Sequence, residues 1–208
     1  MKTQIIFLPD QIKKFFLNLI TPLTDLFIRY GINPNVFTTI GLMISIITAF
    51  YFSKGMLRLG GLLLLLAGIF DIFDGRVARA TNRVTKFGAL YDSTLDRYAE
   101  VLVFFGLAYF FSRTSVQIAG FEMNTIAILA TSMALGGSVM TSYVRARAEG
   151  LGLDCKVGIM QRPERVVYLG IGALLHVSTL LLALIIIALF SNFTAFQRLY
   201  HVWKMDKS

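Results

Sequence analysis

Two pairs of aspartates next to long apolar runs constrain the fold of this chain more than any other feature. Asp71 and Asp74 follow the apolar run 62–70, and Asp92 and Asp96 precede the apolar run 101–111. A carboxylate at the end of a membrane-length apolar run is costly in lipid, so it faces a polar cavity or a partner instead. The fold must therefore gather these side chains away from lipid.

Helical spacing places each pair on one helix face, because residues i, i+3, i+4, i+7 and i+8 share a face. The first stripe consists of Asp71, Asp74, Gly75, Ala78 and Arg79. The second stripe consists of Thr85, Gly88, Asp92 and Asp96. The polar segment 80–86 can turn, so the pattern predicts a hairpin of two helices that meet, each with two carboxylates on one face. The small residues Gly75, Ala78 and Gly88 would let a large ligand or the facing backbone approach closely.

Four converging carboxylates cannot all stay ionised in a small site unless cations join them. Their oxygen atoms suit a hard cation such as Mg²⁺ or Mn²⁺, and the stretch has no Cys or His to favour zinc. Two such ions near a phosphate are the usual arrangement for phosphoryl or nucleotidyl displacement. The stripes therefore predict a metal-dependent phosphate chemistry.

The composition indicates a membrane protein: 56% of the 208 residues are hydrophobic, and the mean hydropathy is +0.68. The net charge of +8 follows from the positive-inside rule and from attraction to anionic headgroups. No basic tract interleaved with aromatic residues is present, so we expect no nucleic-acid partner. A single cysteine excludes an internal disulfide framework.

The hydropathy pattern predicts an all-α integral membrane protein with two parts. Residues 1–30 form an N-terminal juxtamembrane amphipathic helix that lies in the membrane interface, with a kink expected at Pro22. Residues 1–8 lack the features of a signal peptide, and an ordinary packing helix is the alternative for 10–30. Residues 31–208 form a membrane domain of six transmembrane helices.

Five breaks define the six predicted spans. The first four spans cover about 34–52, 59–80, 87–112 and 125–149, the fifth opens at Pro163, and the sixth follows a break within 176–179. With six spans, the termini, the aspartate hairpin and the loop 150–162 share one side. That side holds seventeen of the twenty Lys and Arg residues, since Lys54, Arg58 and Arg113 lie opposite. This predicts the cytoplasmic membrane, with the termini and the active site facing the cytoplasm.

The pattern D-x2-D-G-x2-A-R-x8-G-x3-D-x3-D resembles the signature of the CDP-alcohol phosphotransferase family, and all eight specified residues are present. The alternative is a carboxylate-lined hairpin that serves assembly alone. The resemblance implies six transmembrane helices, a homodimer and two divalent ions, Mg²⁺ or Mn²⁺. It also implies transfer of a substituted phosphate from a CDP-linked donor to an alcohol, with release of CMP.

The resemblance also assigns residues to the site. The metal ligands would be Asp71, Asp74, Asp92 and Asp96, and Asp96 would also be the catalytic base. The residues that bind the CDP donor would be Pro34, Asn35, Thr38, Asp74, Gly75, Ala78, Arg79, Thr85 and Gly88. The turn at Asn33-Pro34-Asn35 has the alternative of being a simple helix start.

The acceptor is inferred from the second half of the chain. The segments S-Y-V-R-A-R-A-E at 142–149 and Q-R-P-E-R at 161–165 resemble the phosphatidylinositol phosphate synthases of this family. The acceptor phosphate would be bound by Ser142, Arg145, Arg165 and Arg198. Converging guanidiniums suit a phosphate dianion, although they could also be positive-inside anchors. The family often has Lys where Arg145 stands, and the loop after Glu149 differs.

We therefore expect a phospholipid-biosynthesis transferase that moves a phosphatidyl group from CDP-diacylglycerol to a soluble phosphorylated polyol, with inositol phosphate favoured. A glycerol phosphate acceptor, giving phosphatidylglycerophosphate, is the first alternative. A cation- or proton-coupled carrier is the second, and it is disfavoured because transport does not require Gly75, Ala78, Arg79 and Gly88 at fixed offsets.

Overall fold

The computed structural model describes residues 10–206, with side chains from residue 20 onward. The described part contains α1 (Asp10–Arg29), α2 (Pro34–Ser53), α3 (Leu57–Ala80), α4 (Lys86–Arg113), β1 (Gln117–Ile118), β2 (Phe121–Glu122), α5 (Asn124–Gly150), α6 (Arg162–Leu175) and α7 (Val177–Asp206). The signal-peptide prediction for residues 1–8 lies outside the described residues, as does the end of the chain at 207–208.

The helix boundaries follow the sequence prediction closely, with one addition. Residues 112–124, predicted as a polar loop, contain the two-residue strands β1 and β2, which pair antiparallel. The break between the last two helices falls at His176, within the predicted interval, where the backbone is extended. The Thr179 hydroxyl accepts a hydrogen bond from the His176 amide at 3.0 Å, which fixes the start of α7.

The helices form two groups of three that are joined by a pair of contacts. In the first group α2 packs against both α3 and α4, and in the second α7 packs against both α5 and α6. The contacts of α3 with α6 and of α4 with α5 join the two groups. The main hydrophobic core lies at this junction and is centred on buried residues such as Phe104, Leu107 and Leu184.

The predicted hairpin of α3 and α4 is more open than the sequence suggested. The two helices make few direct backbone-level contacts, because α2 packs against both of them. The turn between them is tight: Asn82 adopts the left-handed conformation with φ 53°, which Asn tolerates better than most residues. The two helices do meet through their side chains, since Asp71 and Asp74 of α3 and Asp92 of α4 place carboxylate oxygens within 4.8 Å of one another. Repulsion between their carboxylates favours the gap between the two backbones.

Glycines let the helices approach closely where the bundle is tightest. A Cβ added at Gly106 of α4 would lie 2.8 Å from the Cα of Ala49 on α2. One added at Gly61 of α3 would lie 2.7 Å from the carbonyl oxygen of Gly170 on α6. Small residues at helix contacts are typical of membrane proteins, because close backbone packing replaces the hydrophobic drive that lipid removes.

An aromatic cluster attaches α1 to the rest of the protein. Phe27 of α1 packs against Phe37 of α2 and Phe73 of α3, with ring centroids 4.9 and 5.1 Å away. Arg76 donates a hydrogen bond to the hydroxyl of Thr21 at 3.0 Å. The second half of α1 is thus held against the cytoplasmic end that the sequence predicts for α2 and α3.

The outer surface of the bundle is apolar, as expected for a membrane protein. Large apolar side chains such as Phe50, Leu129 and Leu189 are more than half exposed, on a scale that soluble monomers avoid. Within the described residues, three helices are long and apolar enough to cross a membrane: Pro34–Ser53, Asn124–Gly150 and Val177–Asp206. The chain is a helical membrane protein.

The contact at Gly106 gives a test of the packing. We expect Gly106→Ala to destabilise the protein by about 1–3 kcal/mol, because the added methyl group overlaps the backbone of α2. Gly136→Ala is the matched control, since a Cβ at that exposed helical position meets nothing within 4 Å. Thermal unfolding in detergent should show a lower melting temperature for Gly106→Ala alone. Equal melting temperatures for the two variants would contradict the packing.

Candidate functional site

A small cleft opens between α2, α3 and α4, where the two aspartate stripes face each other. Thr38 and Ser45 of α2 form one wall, and Asp71 and Asp74 of α3 form another. Asp96 of α4 and Arg162 of α6 also line the cleft. The gap that α2 maintains between α3 and α4 is therefore the polar cavity that the sequence predicted for these carboxylates.

Three of the four aspartates form a compact cluster. One carboxylate oxygen from each of Asp71, Asp74 and Asp92 lies within 4.8 Å of the others. The Oδ1 atom of Asp92 is buried without a hydrogen-bond partner among the described residues. A buried carboxylate oxygen is costly unless a donor or a cation satisfies it. The donor set, all oxygen and strongly negative, fits Mg²⁺ or Mn²⁺.

Thr38 orients the most buried of these carboxylates. Its hydroxyl donates a hydrogen bond to Asp74 Oδ2 at 2.9 Å, and Asp74 is only 7% exposed. A hydroxyl of α2 thus holds one carboxylate oxygen of Asp74 in place. The structure therefore connects Thr38, which the sequence placed near the CDP moiety, to the carboxylate site.

Asp96 lies at the edge of the cluster and is engaged by arginines. Arg162 donates to Asp96 Oδ1 at 2.8 Å and, through its other terminal nitrogen, to Asp71 Oδ1 at 2.6 Å. Arg97 lies 3.7 Å from Asp96 Oδ2. One guanidinium on α6 thus bridges carboxylates on α3 and α4, and Oδ2 is the less occupied oxygen of Asp96.

Of the predicted donor-binding residues, Thr38 and Asp74 line the cleft, and the others lie near the start of α2, the end of α3 and the start of α4. Asn35 comes within 3.4 Å of where a Cβ at Gly88 would stand, so a side chain there would crowd the start of α2. The Thr85 hydroxyl caps α4 by accepting from the Gly88 amide at 2.9 Å. The Arg79 guanidinium folds back over Gly75, 3.2 Å from a Cβ placed there. Small residues at both positions thus make room for polar neighbours, whereas Pro34 begins α2 and Ala78 is half-buried.

The predicted acceptor arginines each have protein partners. Arg165 is 1% exposed and donates to both oxygens of Glu100, at 2.7 and 3.1 Å. Arg198 donates to the carbonyl oxygens of Val157 and Thr141, at 2.7 and 2.6 Å.

The remaining two members of the predicted acceptor set lie on α5. Arg145 pairs with Glu149 at 2.8 Å, one helical turn further along, as their spacing predicts. Ser142 is half-buried on the same helix. The three arginines lie on three different helices, α5, α6 and α7. Their role in binding a phosphate stays a prediction.

Two site residues, Arg162 and Glu100, were not identified from the sequence. Glu100 follows Asp92 and Asp96 at the same four-residue interval, so the stripe could have been extended by one turn. Arg162 precedes Arg165 by three residues, which puts both on one face of α6. The sequence contained both signals, but only the packing of α6 against α3 brings Arg162 to the carboxylates.

Comparisons with known proteins agree with this geometry. The sequence profile of the CDP-alcohol phosphatidyltransferase family matches residues 32–205. The chain is 34% identical over 202 residues to archaetidylinositol phosphate synthase of Methanothermobacter thermautotrophicus, covering 95% of each protein. It is 32% identical over 206 residues to phosphatidylinositol phosphate synthase of Mycobacterium tuberculosis, covering 94% of this chain and 91% of that protein.

Solved structures show the same fold. The crystal structure of Mycobacterium tuberculosis phosphatidylinositol phosphate synthase with CDP-DAG bound has a TM-score of 0.78 and 31% identity. The similarity covers 89% of this chain and 94% of that one. The structure of that enzyme in complex with manganese and citrate has a TM-score of 0.76 over 88% of both chains.

The aspartate cluster gives a direct prediction about metal binding. We expect Asp92→Asn to weaken Mn²⁺ binding at least about tenfold, because the amide removes one negative charge from a three-carboxylate cluster. Titration of the purified protein with Mn²⁺, followed by the electron paramagnetic resonance signal of unbound ion, measures this affinity. Asp154→Asn is the control, since Asp154 lies in an exposed loop beside Lys156. Equal affinities in the two variants would exclude the cluster as the ion site.

Proposed function

The chain belongs to the CDP-alcohol phosphatidyltransferase family, and we propose that it makes phosphatidylinositol phosphate in phospholipid biosynthesis. It transfers the phosphatidyl group of CDP-diacylglycerol to a hydroxyl of inositol phosphate and releases CMP. The observation that carries the proposal is the cluster of Asp71, Asp74 and Asp92, of which Asp71 and Asp74 line a cleft together with Asp96. The relatives named for inositol phosphate products, which match over most of their length, support the acceptor.

The proposed reaction assigns a role to each carboxylate. Asp71, Asp74, Asp92 and Asp96 hold one or two divalent ions, Mg²⁺ or Mn²⁺. A bound ion would polarise the pyrophosphate and offset the charge that develops on departing CMP. Asp96 takes the proton of the acceptor hydroxyl. The hydroxyl oxygen forms a bond to the lipid-bearing phosphorus, and the bond from that phosphorus to the oxygen of departing CMP breaks. Asp96 suits this role because its Oδ2 is the less occupied oxygen.

The donor lies, in this proposal, along the rim where α2 begins and α3 ends. Its cytidine and phosphates contact the residues that the signature places there: Pro34, Asn35, Thr38, Asp74, Gly75, Ala78, Arg79, Thr85 and Gly88. The small residues Gly75 and Gly88 keep the approach to the cluster open. A structural relative that was crystallised with CDP-DAG bound supports this choice of donor.

The acceptor phosphate is proposed to bind on the second group of helices, to Ser142, Arg145, Arg165 and Arg198. Arg165 stands one helical turn from Arg162, so this anion site adjoins the carboxylate cleft. An inositol phosphate anchored there would present a hydroxyl toward Asp96. Guanidiniums that bind one ligand together would favour a doubly charged phosphate over a neutral polyol.

The membrane arrangement we propose keeps six spans, α2 to α7, with the termini and the cleft facing the cytoplasm. At 14 residues α6 is about 21 Å long, short of the roughly 30 Å hydrocarbon core. The loop before α6 extends this span, because it enters the bundle and fully buries Cys155 and Met160. Leu23, Leu26 and Tyr30 of α1 are exposed and suit an interfacial helix, and a homodimer is carried over from the family.

Glycerol phosphate is the second candidate acceptor, since it also carries a phosphate dianion that three arginines would bind. Lipid-linked CDP donors with ether chains form a further alternative, because one relative is named for an archaetidyl product. The proposal favours the diacylglycerol donor and the inositol phosphate acceptor.

A panel of acceptors tests the proposed function. Purified protein is supplied with CDP-diacylglycerol, Mg²⁺ and one of four acceptors: inositol phosphate, glycerol phosphate, free inositol or serine. We expect CMP release with inositol phosphate alone. Release with glycerol phosphate alone would move the acceptor to the alternative, and release with free inositol would show that the arginines do not select a phosphate.

The role of Asp96 has its own test. We expect Asp96→Asn to lower turnover by about 10²–10⁴-fold, because the amide cannot take the hydroxyl proton. Binding of the CDP donor should stay within about threefold, since the cluster retains three carboxylates. Asp154→Asn again serves as the control. Turnover equal to wild type in Asp96→Asn would overturn the assignment of the base.

A further inference from the structure

Arg162 makes two short ion pairs inside the carboxylate site. Its two terminal nitrogens lie 2.6 Å from Asp71 Oδ1 and 2.8 Å from Asp96 Oδ1. The side chain is 23% exposed, so solvent screens these ion pairs only in part. A guanidinium that forks between carboxylates on two helices holds both of them at fixed positions.

The oxygens that Arg162 occupies belong to two of the residues proposed to bind the divalent ion. A carboxylate oxygen that accepts a short bond from a guanidinium has its lone pairs directed at that donor. A cation that binds the same oxygen must displace the donor. Even where it uses the other oxygen, it meets a fixed positive charge a few ångströms away, and like charges at that distance repel strongly.

The packing of α6 does not depend on the contact of Arg162. Arg165, one turn later on the same face, makes a bidentate pair with Glu100 of α4 and is almost fully buried. Gly61 of α3 also packs against Gly170 of α6. These contacts fix the helix, so the Arg162 side chain can leave the carboxylates without moving the backbone.

A second cleft gives the displaced side chain a place to go. It adjoins the first one, with Ser45, Ala67 and Arg162 lining both. Its wall also contains Glu100, whose two oxygens already accept from Arg165, so a released Arg162 guanidinium would share this carboxylate rather than pair with it alone. The side chain therefore has an adjoining cleft to enter, with a carboxylate in its wall.

From these contacts we propose that Arg162 is an internal competitor of the divalent cation. It neutralises Asp71 and Asp96 when the cation is not bound and leaves them when the cation binds. This inference rests on the proposed function, because it takes the aspartates as ion ligands. It makes the affinity for the cation lower than four carboxylates alone would give, and it keeps those carboxylates together without the cation.

The test is Mn²⁺ binding to Arg162→Gln, measured by the electron paramagnetic resonance signal of unbound Mn²⁺. We expect this variant to bind Mn²⁺ about tenfold more tightly than wild type, since both the competition and the repulsion are removed. In EDTA its melting temperature should be lower than that of wild type, because Asp71 and Asp96 lose their counter-charge. The gain in melting temperature on adding Mn²⁺ should be larger than for wild type.

Two further variants keep the result interpretable. Arg162→Lys retains the charge but bridges the two carboxylates less well, so its Mn²⁺ affinity should lie between those of wild type and Arg162→Gln. This variant also provides the test if Arg162→Gln is too unstable to purify. Arg113→Gln removes one exposed charge at the far end of α4 and should bind Mn²⁺ like wild type.

The outcomes separate this inference from the proposed function. Unchanged or weaker Mn²⁺ binding in both Arg162 variants, with wild type binding Mn²⁺ and turning over, would overturn the competition and leave the proposed function in place. Wild type that binds no Mn²⁺ would overturn both. Tighter binding in Arg162→Gln with Arg113→Gln unchanged would establish it.

Discussion

The repulsion between four carboxylates inside an apolar bundle is the constraint on which the rest of this structure depends. Asp71, Asp74 and Asp92 place oxygens within 4.8 Å of one another, an arrangement that needs positive charge and hydrogen-bond donors to persist. The chain supplies both, through the hydroxyl of Thr38 and the guanidinium of Arg162. α2 packs against both α3 and α4, and Asp71, Asp74 and Asp96 line the cleft between the three helices.

The helix α6 connects the two halves of the bundle through consecutive ion pairs. Asp96 and Glu100 lie one turn apart on α4, and they pair with Arg162 and Arg165, one turn apart on α6. The first pair belongs to the proposed ion site and the second to the proposed acceptor site. The proposed ion site and the proposed acceptor site therefore share α6. A substitution at Arg165 would lie only one helical turn from the residue that contacts Asp71 and Asp96.

Much of this architecture could be predicted from the sequence, because hydropathy and helical spacing are local properties. They gave the order of the helices, the break at His176 and the stripes that carry the four aspartates. The open geometry of α3 and α4 could not be predicted, since it depends on α2 packing against both helices. Arg162 and Glu100 were missed for a related reason: their partners lie on other helices, and the contact between α6 and α3 is not encoded in either segment alone.

The measurement that tests the central claim most directly is the identity of the lipid product. Purified protein would be incubated with CDP-diacylglycerol, inositol phosphate and Mn²⁺, and the lipids and nucleotides analysed by mass spectrometry. The account predicts phosphatidylinositol phosphate and CMP in equal amounts, with neither formed when the divalent ion is removed by EDTA. CMP accompanied by phosphatidic acid instead, which would show that water is the acceptor, would contradict it.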